Sequence, residues 1–199
     1  MSTISLRIFK MSKYQICVSG AAKGDSVDQG KLLAQAAGAA IAKAGHSLMT
    51  GATTGLPNEA AFGYKAAGGK MSLGISPAST KVEHVMKYRL PTKDYDAILY
   101  SGLHYSGRDA LLVTSADAVV SIGGRLGTLH EFTIAMETKT PLGILQGAGG
   151  VGDQIEQLLK ILPNADPELV IIDTDPDKLV EKLTKLLDKT HAHYHALYQ

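Results

Sequence analysis

The sequence predicts an α/β fold in which a mainly parallel sheet lies between two layers of helices. Apolar runs of five to seven residues alternate with segments of helical length along the chain. These runs are apolar at successive positions, as strands covered on both faces are. Several of the turns that would follow a strand contain glycine, which suits a tight strand-to-helix connection. Together these observations predict one Rossmann-like, three-layer αβα domain.

The first half of the chain supplies three of the predicted strands. Residues 14–20 form a buried strand by their apolar run, and the alanine-rich residues 25–44 form a helix that ends at Gly45, as at a C-cap glycine. Residues 77–94 have no clear period and are predicted to form a loop. The other predicted elements here are a strand at 46–50, a helix at 56–67 and a strand at 70–76.

The second half repeats the alternation around the strongly apolar residues 117–122, which predict a fully buried strand. Residues 108–115 before it are helical, and residues 175–189 form a closing amphipathic helix. The other predicted elements are strands at 96–100, 142–146 and 169–173 and helices at 127–139 and 151–162. The domain is therefore expected to span residues 13–189, between an N-terminal extension (1–12) and a C-terminal tail (190–199).

Composition restricts the functional classes. Apolar residues make up 45% and charged residues 20%, as in ordinary globular proteins. A formal net charge of +1 gives no indication of a nucleic acid or a membrane surface as partner, and no apolar run approaches the roughly 18–20 residues that span a bilayer. The one cysteine, Cys17, allows no intrachain disulfide and fits a cytoplasmic compartment, and Met11 is an alternative start of the chain. We expect a small-molecule ligand.

Three turns that contain glycine, at residues 20–24, 51–56 and 123–131, follow predicted strands and carry the functional argument. Parallel strands end at one edge of the sheet, where ligands bind. Each turn opens a helix, whose free N–H groups and partial positive charge attract anions. The alternative is that glycine serves only the tight turn. The residues that we expect to bind a phosphate or nucleotide are Gly20, Gly51, Thr53, Thr54, Gly55, Gly123, Gly124, Arg125, Gly127 and Thr128.

Two side chains near the third turn have competing interpretations. Thr128 and Glu131 match a capping box, in which they would only satisfy backbone donors. In the functional interpretation, Thr128 binds phosphate and Glu131 faces the ligand. Arg108 lies at or near the start of its predicted helix, where a cation opposes the helix dipole. It either pairs with Asp109 at the surface or directs its forked donors toward an anionic ligand.

The residues from Arg108 to Glu131 resemble the LOG (lonely guy) family, once misnamed lysine decarboxylases. That family shows Met-His-x-Arg-Lys followed by Pro-Gly-Gly-x-Gly-Thr-x-x-Glu, and Gly-Gly-Gly-x-x-Gly-Leu-Met after its second strand. Here the arginine falls on Arg108, and the early glycine turn falls on residues 51–56. The resemblance covers roughly residues 14–161. The end of the second motif falls on Gly127, Thr128 and Glu131.

The chain departs from the family pattern at several positions. The motif's proline is Gly123, its second glycine is Arg125, the lysine after the arginine is Asp109, and Pro57 replaces the methionine. The pattern is similar to the branch that includes proteins resembling the molybdenum cofactor carrier of algae. The departures therefore concern the family's reaction more than nucleotide binding.

The resemblance implies hydrolysis of the N-glycosidic bond of a nucleoside 5′-monophosphate. Glu131 would stabilise an oxocarbenium-like state and Arg108 would orient the substrate, so both are candidate catalytic residues that need no metal or cofactor. The alternative is a carrier or sensor of a nucleotide or molybdopterin-type cofactor, without turnover. A dinucleotide-dependent oxidoreductase is less favoured, because no Gly-x-Gly-x-x-Gly follows the first strand. The resemblance and the small residues at 33–44 favour a homodimer or homotetramer, although these residues could equally pack inside one subunit.

The remaining polar candidates are set aside. His104 and His130 are interpreted as helix-terminus or surface histidines rather than bases. Lys23 is a candidate phosphate ligand of lower rank, and Cys17 is interpreted as a small apolar filler. A solvated tail is favoured over a metal site for the alternating histidines His191, His193 and His195.

Overall fold

The computed structural model describes residues 13–162 and 166–195. The strands are β1 (Gln15–Gly20), β2 (Ser47–Thr50), β3 (Ser72–Ser76), β4 (Ala97–Tyr100), β5 (Ala118–Ile122), β6 (Leu142–Leu145) and β7 (Val170–Asp173). The helices are α1 (Asp25–Lys43), α2 (Leu56–Ala66), α3 (His104–Thr114), α4 (Leu126–Thr138), α5 (Ile155–Ile161), α6 (Pro176–Thr190) and α7 (Ala192–His195). The predicted N-terminal extension lies outside the described residues.

The seven strands form one parallel sheet in the order β4-β3-β2-β1-β5-β6-β7. Side chains of β1 alternate between the two faces, since Ile16 and Val18 pack into the core beneath α1, α2 and α6, whereas Cys17 packs beneath α3, α4 and α5. Burial on both faces explains the continuous apolar strands. The predicted three-layer αβα class is confirmed. None of the described helices is long and apolar enough to cross a membrane.

Close packing of α1 against α2 accounts for the small residues of α1. A Cβ atom on Gly38 would lie 2.0 Å from the carbonyl oxygen of Ala60, and one on Gly63 would lie 2.0 Å from that of Gln35. The alanine-rich segment is therefore explained within one chain and does not indicate an interface between subunits. The expected homodimer or homotetramer stays a prediction that light scattering would test.

Three element predictions are corrected at their starts. Helix α3 begins at His104 rather than at residue 108, so Arg108 lies in its second turn and not at its N-terminus. Helix α4 begins at Leu126, with Arg125 as its N-cap residue. The helix predicted at 151–162 begins instead as a 3₁₀ turn, Gly150–Gln154, before α5. Gly149, the N-cap residue of this turn, and Gly150, its first residue, both have positive φ angles.

The predicted loop and tail are also partly ordered into helical turns. A π-helical turn, Glu83–Lys87, lies within residues 77–94. Buried His84 fixes it, because its ring hydrogen-bonds the Ser76 hydroxyl at 2.8 Å and the Pro91 carbonyl at 2.9 Å. In the predicted tail, His191 lies 3.8 Å from Asp117 and is followed by the short helix α7. His191 is therefore part of the folded domain.

Candidate functional site

A cleft of about 200 Å³ lies where the carboxyl ends of β1, β2 and β5 meet. This is the position at which helices change from one face of the sheet to the other, and ligands of open α/β sheets bind there. Eight of the twelve predicted site residues line it: Gly20, Gly51, Thr53, Arg108, Arg125, Gly127, Thr128 and Glu131. The cleft is also lined by seven residues that were not predicted: Val18, Ser19, Ala21, Ala22, Pro57, Tyr105 and Asp109.

Thr54, Gly55, Gly123 and Gly124 do not line the cleft, but they shape the turns behind it. Gly55 has a φ of +78°, and a Cβ atom there would lie 2.3 Å from the Ala21 carbonyl oxygen. A Cβ atom on Gly124 would meet the Thr128 hydroxyl at 2.0 Å. The Thr54 hydroxyl donates to the Ala22 carbonyl, and the Gly123 carbonyl accepts from a backbone N–H. The contacts of these four residues agree with the alternative in which they serve only to form the turns.

Arg108 reaches from α3 into the cleft and is only 4% exposed. Its Nη2 atom lies 3.4 Å from Asp109, its Nη1 atom lies 3.9 Å from Glu131, and its buried Nε has no hydrogen-bond partner among the described residues. The predicted alternative of a surface Arg–Asp pair is therefore wrong. A buried guanidinium with unused donors is costly unless an anion completes its hydrogen bonds.

Glu131 lies beside Arg108 and is 7% exposed. The Ser19 hydroxyl donates to its carboxylate. Burial raises the pKa of Glu131 to about 7, whereas Arg108 and the Ser19 hydrogen bond act to lower that pKa. Near neutral pH, the protein therefore holds Glu131 in both protonation states. The side chain can act as a proton acceptor or donor, or as a partly ionised carboxylate.

Of the two interpretations of Thr128 and Glu131, the capping box is wrong. Because α4 begins at Leu126, Thr128 is its third residue and Glu131 its sixth, and the N-cap residue Arg125 makes no side-chain capping bond. Glu131 is therefore too far along the helix to satisfy a backbone donor of the first turn. Its hydrogen bond to Ser19 ties α4 to β1 instead.

Of the helix ends at the second and third glycine turns, the N-terminus of α4 is more open than that of α2. The first N–H groups of an α-helix have no partner within it, and a Cβ atom on Gly127 would meet nothing within 4 Å. At α2, the Leu56 N–H donates to the Ala21 carbonyl, and Pro57 has no N–H. An anion therefore finds donors at α4, while the turn at 51–55 offers fewer than the sequence predicted.

The remaining candidates lie around the cleft. His130 bonds to Asp109 at 3.0 Å between Nδ1 and Oδ2, so it orients a carboxylate that lines the cleft. Lys23 is exposed and does not line the cleft. His104 is the first residue of α3 and bonds the Tyr88 hydroxyl. Ser19 could have been selected as a lining residue from the sequence, because it precedes Gly20 at the carboxyl end of the first predicted strand, where ligands bind.

Comparisons with known proteins find a family, a relative and solved structures that resemble most of this chain. The model of a family described as "LDcluster4: SLOG cluster4 family" matches residues 13–180, which include every residue that lines the cleft. An uncharacterized protein of Archaeoglobus fulgidus is 30% identical over 127 residues, which are 64% of this chain and 76% of that protein. The molybdenum cofactor carrier protein of Chlamydomonas reinhardtii has a TM-score of 0.72 at 27% identity, with 88% of this chain and 99% of that chain covered. The molybdenum cofactor binding protein of Rippkaea orientalis has a TM-score of 0.70 at 26% identity, with 89% and 99% covered.

Proposed function

The chain belongs to the SLOG cluster4 family, and from that membership we propose that it binds a phosphorylated nucleotide or molybdopterin-type molecule in the cleft at the β1–β5 edge. The resemblance to the LOG branch that includes molybdenum cofactor carriers is confirmed. Two structural neighbours are named for that cofactor, which combines a pterin ring system with a phosphate. Binding without turnover is the function that the geometry supports best.

The observation that carries this proposal is the buried, incompletely bonded guanidinium of Arg108. Its Nε has no partner among the described residues, and its two carboxylate neighbours lie at 3.4 and 3.9 Å, beyond good hydrogen-bond distance. A phosphate oxygen would supply the missing acceptors, and the free N–H groups at the start of α4 would supply further donors. Arg108 and the first turn of α4 therefore form the anion-binding part of the site.

The size of the cleft indicates how the ligand is held. A volume of about 200 Å³ lies below the roughly 300–1,000 Å³ of pockets that enclose a whole small molecule. The cleft therefore holds the phosphate-bearing end of the ligand, and the rest of the ligand extends beyond it. Partial enclosure suits a protein that takes up and releases its ligand.

Hydrolysis of a nucleoside 5′-monophosphate is the second candidate function, and the position of the Glu131 carboxyl group in the cleft favours it. In that reaction, water attacks the ribose carbon as the bond to the base nitrogen breaks. The bonding pair leaves with the base, which gains a proton, and the water oxygen remains on ribose 5-phosphate. Glu131, with its pKa raised to about 7, would stabilise the positive charge that develops on the sugar. Its bond to Ser19 and its partial protonation reduce the charge available for this role.

One experiment separates the two candidates. Purified protein is titrated calorimetrically with AMP, GMP and molybdopterin, and each mixture is then analysed for free base by chromatography. The proposal expects binding of at least one of these ligands, with the bound ligand recovered intact. Release of free base that is lost in Glu131→Gln would establish the hydrolase instead. No binding of any phosphorylated ligand would refute both functions.

A further inference from the structure

Helix α3 presents an aromatic side chain to the cleft next to the anion-binding arginine. Tyr105 and Arg108 are three residues apart, so they lie on the same face of the helix, and both line the cleft. Tyr105 is 47% exposed, whereas Arg108 is buried. Among the described residues that line the cleft, Tyr105 is the one aromatic residue. Tyr105 is therefore both part of the cleft lining and accessible to solvent.

The ring of Tyr105 is held in place by a second segment. The ring of Tyr88, which follows the π-helical turn, lies edge-to-face against it with 5.6 Å between centroids and 79° between planes. The Tyr88 hydroxyl is bonded to Nδ1 of His104 at 2.9 Å. Pairs of this geometry stabilise one orientation of the rings. Tyr88 is not among the residues that line the cleft, so a residue outside the lining braces the half-exposed tyrosine.

We propose that Tyr105 stacks on the planar heterocycle of the ligand, a purine or a pterin, while Arg108 binds its phosphate. The cleft holds only the phosphate-bearing end, so the ring system must lie further out, where Tyr105 is exposed. Any base has a π face, so stacking on an aromatic side chain accepts both ring classes. Tyr105 is then the residue that lets this site prefer heterocyclic phosphates to simple sugar phosphates.

This inference rests on the proposed binding function, and the test distinguishes the failure of each. The affinities of AMP, neopterin monophosphate and the ring-free ribose 5-phosphate are measured by calorimetry for wild type, Tyr105→Ala and Tyr105→Phe. We expect Tyr105→Ala to weaken binding of at least one ring-bearing ligand by about tenfold or more, from the usual contribution of one stacked base. Binding of ribose 5-phosphate should stay within about twofold, and Tyr105→Phe should behave as wild type because the aromatic face remains.

Circular dichroism of each variant confirms that it is folded, and Tyr88→Ala serves as a second variant. Loss of the Tyr88 contact should lower the affinity for ring-bearing ligands less than Tyr105→Ala does. The affinity for ribose 5-phosphate should stay unchanged. If Tyr105→Ala binds every ligand as wild type does, or loses the same affinity for all of them, the stacking role is refuted while the binding function stands. If wild type binds none of the phosphates, the proposed function fails and the stacking role with it.

Discussion

The guanidinium of Arg108 lies directly over the backbone of Gly51, so closely that a Cβ atom at position 51 would lie 1.7 Å from its Nη1 atom. The glycine that follows β2 therefore makes room for an arginine from α3, in addition to any role in the turn. This contact joins two motifs that are 57 residues apart in the sequence, from Gly51 to Arg108.

The first prediction follows from that contact. Gly51→Ala displaces the Arg108 guanidinium, so the affinity for a phosphorylated ligand should fall about tenfold or more, as expected for loss of a charge-assisted hydrogen bond. A double-mutant cycle with Arg108→Ala checks the cause by calorimetry. In the Arg108→Ala background, the second change should have little further effect. An equal loss in both backgrounds would show that Gly51 acts independently of Arg108.

The second prediction concerns Glu131 and pH. Its pKa in the folded protein, about 7, lies above the ordinary value of 4.5, so the folded state favours the protonated form. Its contribution to stability is fully present below pH 4.5 and is lost as the pH rises through 7. Glu131→Gln cannot ionise, so relative to wild type it should gain stability between pH 4.5 and 8, on the order of a few kcal/mol.

Urea denaturation at pH 5 and at pH 8 measures this difference. The unfolding free energy of Glu131→Gln should exceed that of wild type by more at pH 8 than at pH 5. Equal differences at both pH values would mean that Glu131 has an ordinary pKa in the folded protein.

The third prediction assigns Ser19 its effect on Glu131. The Ser19 hydrogen bond lowers the pKa of Glu131, so Ser19→Ala should raise that pKa further. The pH-dependent loss of stability should then shift to higher pH. Ser121 is a matched control, because it pairs with Ser19 across β1 and β5 and its buried hydroxyl has no partner among the described residues. Ser121→Ala should leave the pH profile in place, and a shift of equal size in both variants would exclude a specific role of Ser19.

The sequence predicts the sheet and the edge at which the site lies, because both depend on local patterns. Continuous apolar strands and glycine turns are properties of neighbouring residues, and they place the turns after β1, β2 and β5 together. The start of α3 could not be predicted in this way. Ser106 and Gly107 are weak helix formers, so the pattern indicates a helix only from Arg108 onward.

The contacts between side chains of the site could not be predicted from the sequence either. Thr128 and Glu131 have the spacing of a capping box, but the helix begins at Leu126, before both of them, and Glu131 bonds to Ser19 across the sheet edge. The choice between capping and a role in the cleft depends on where the helix starts, and sequence patterns give that boundary least accurately. The bond between distant residues follows only from the packed fold.

The central claim is that Arg108 is the anion-binding residue of the cleft, and calorimetric titration of Arg108→Ala with the best-binding phosphorylated ligand tests it most directly. Lys23→Ala is the control, because it removes an exposed cation near the same sheet edge that does not line the cleft. We predict that Arg108→Ala, shown to be folded by circular dichroism, loses about a hundredfold in affinity, while Lys23→Ala binds within about threefold of wild type. Binding by a folded Arg108→Ala protein at the wild-type affinity would contradict the account.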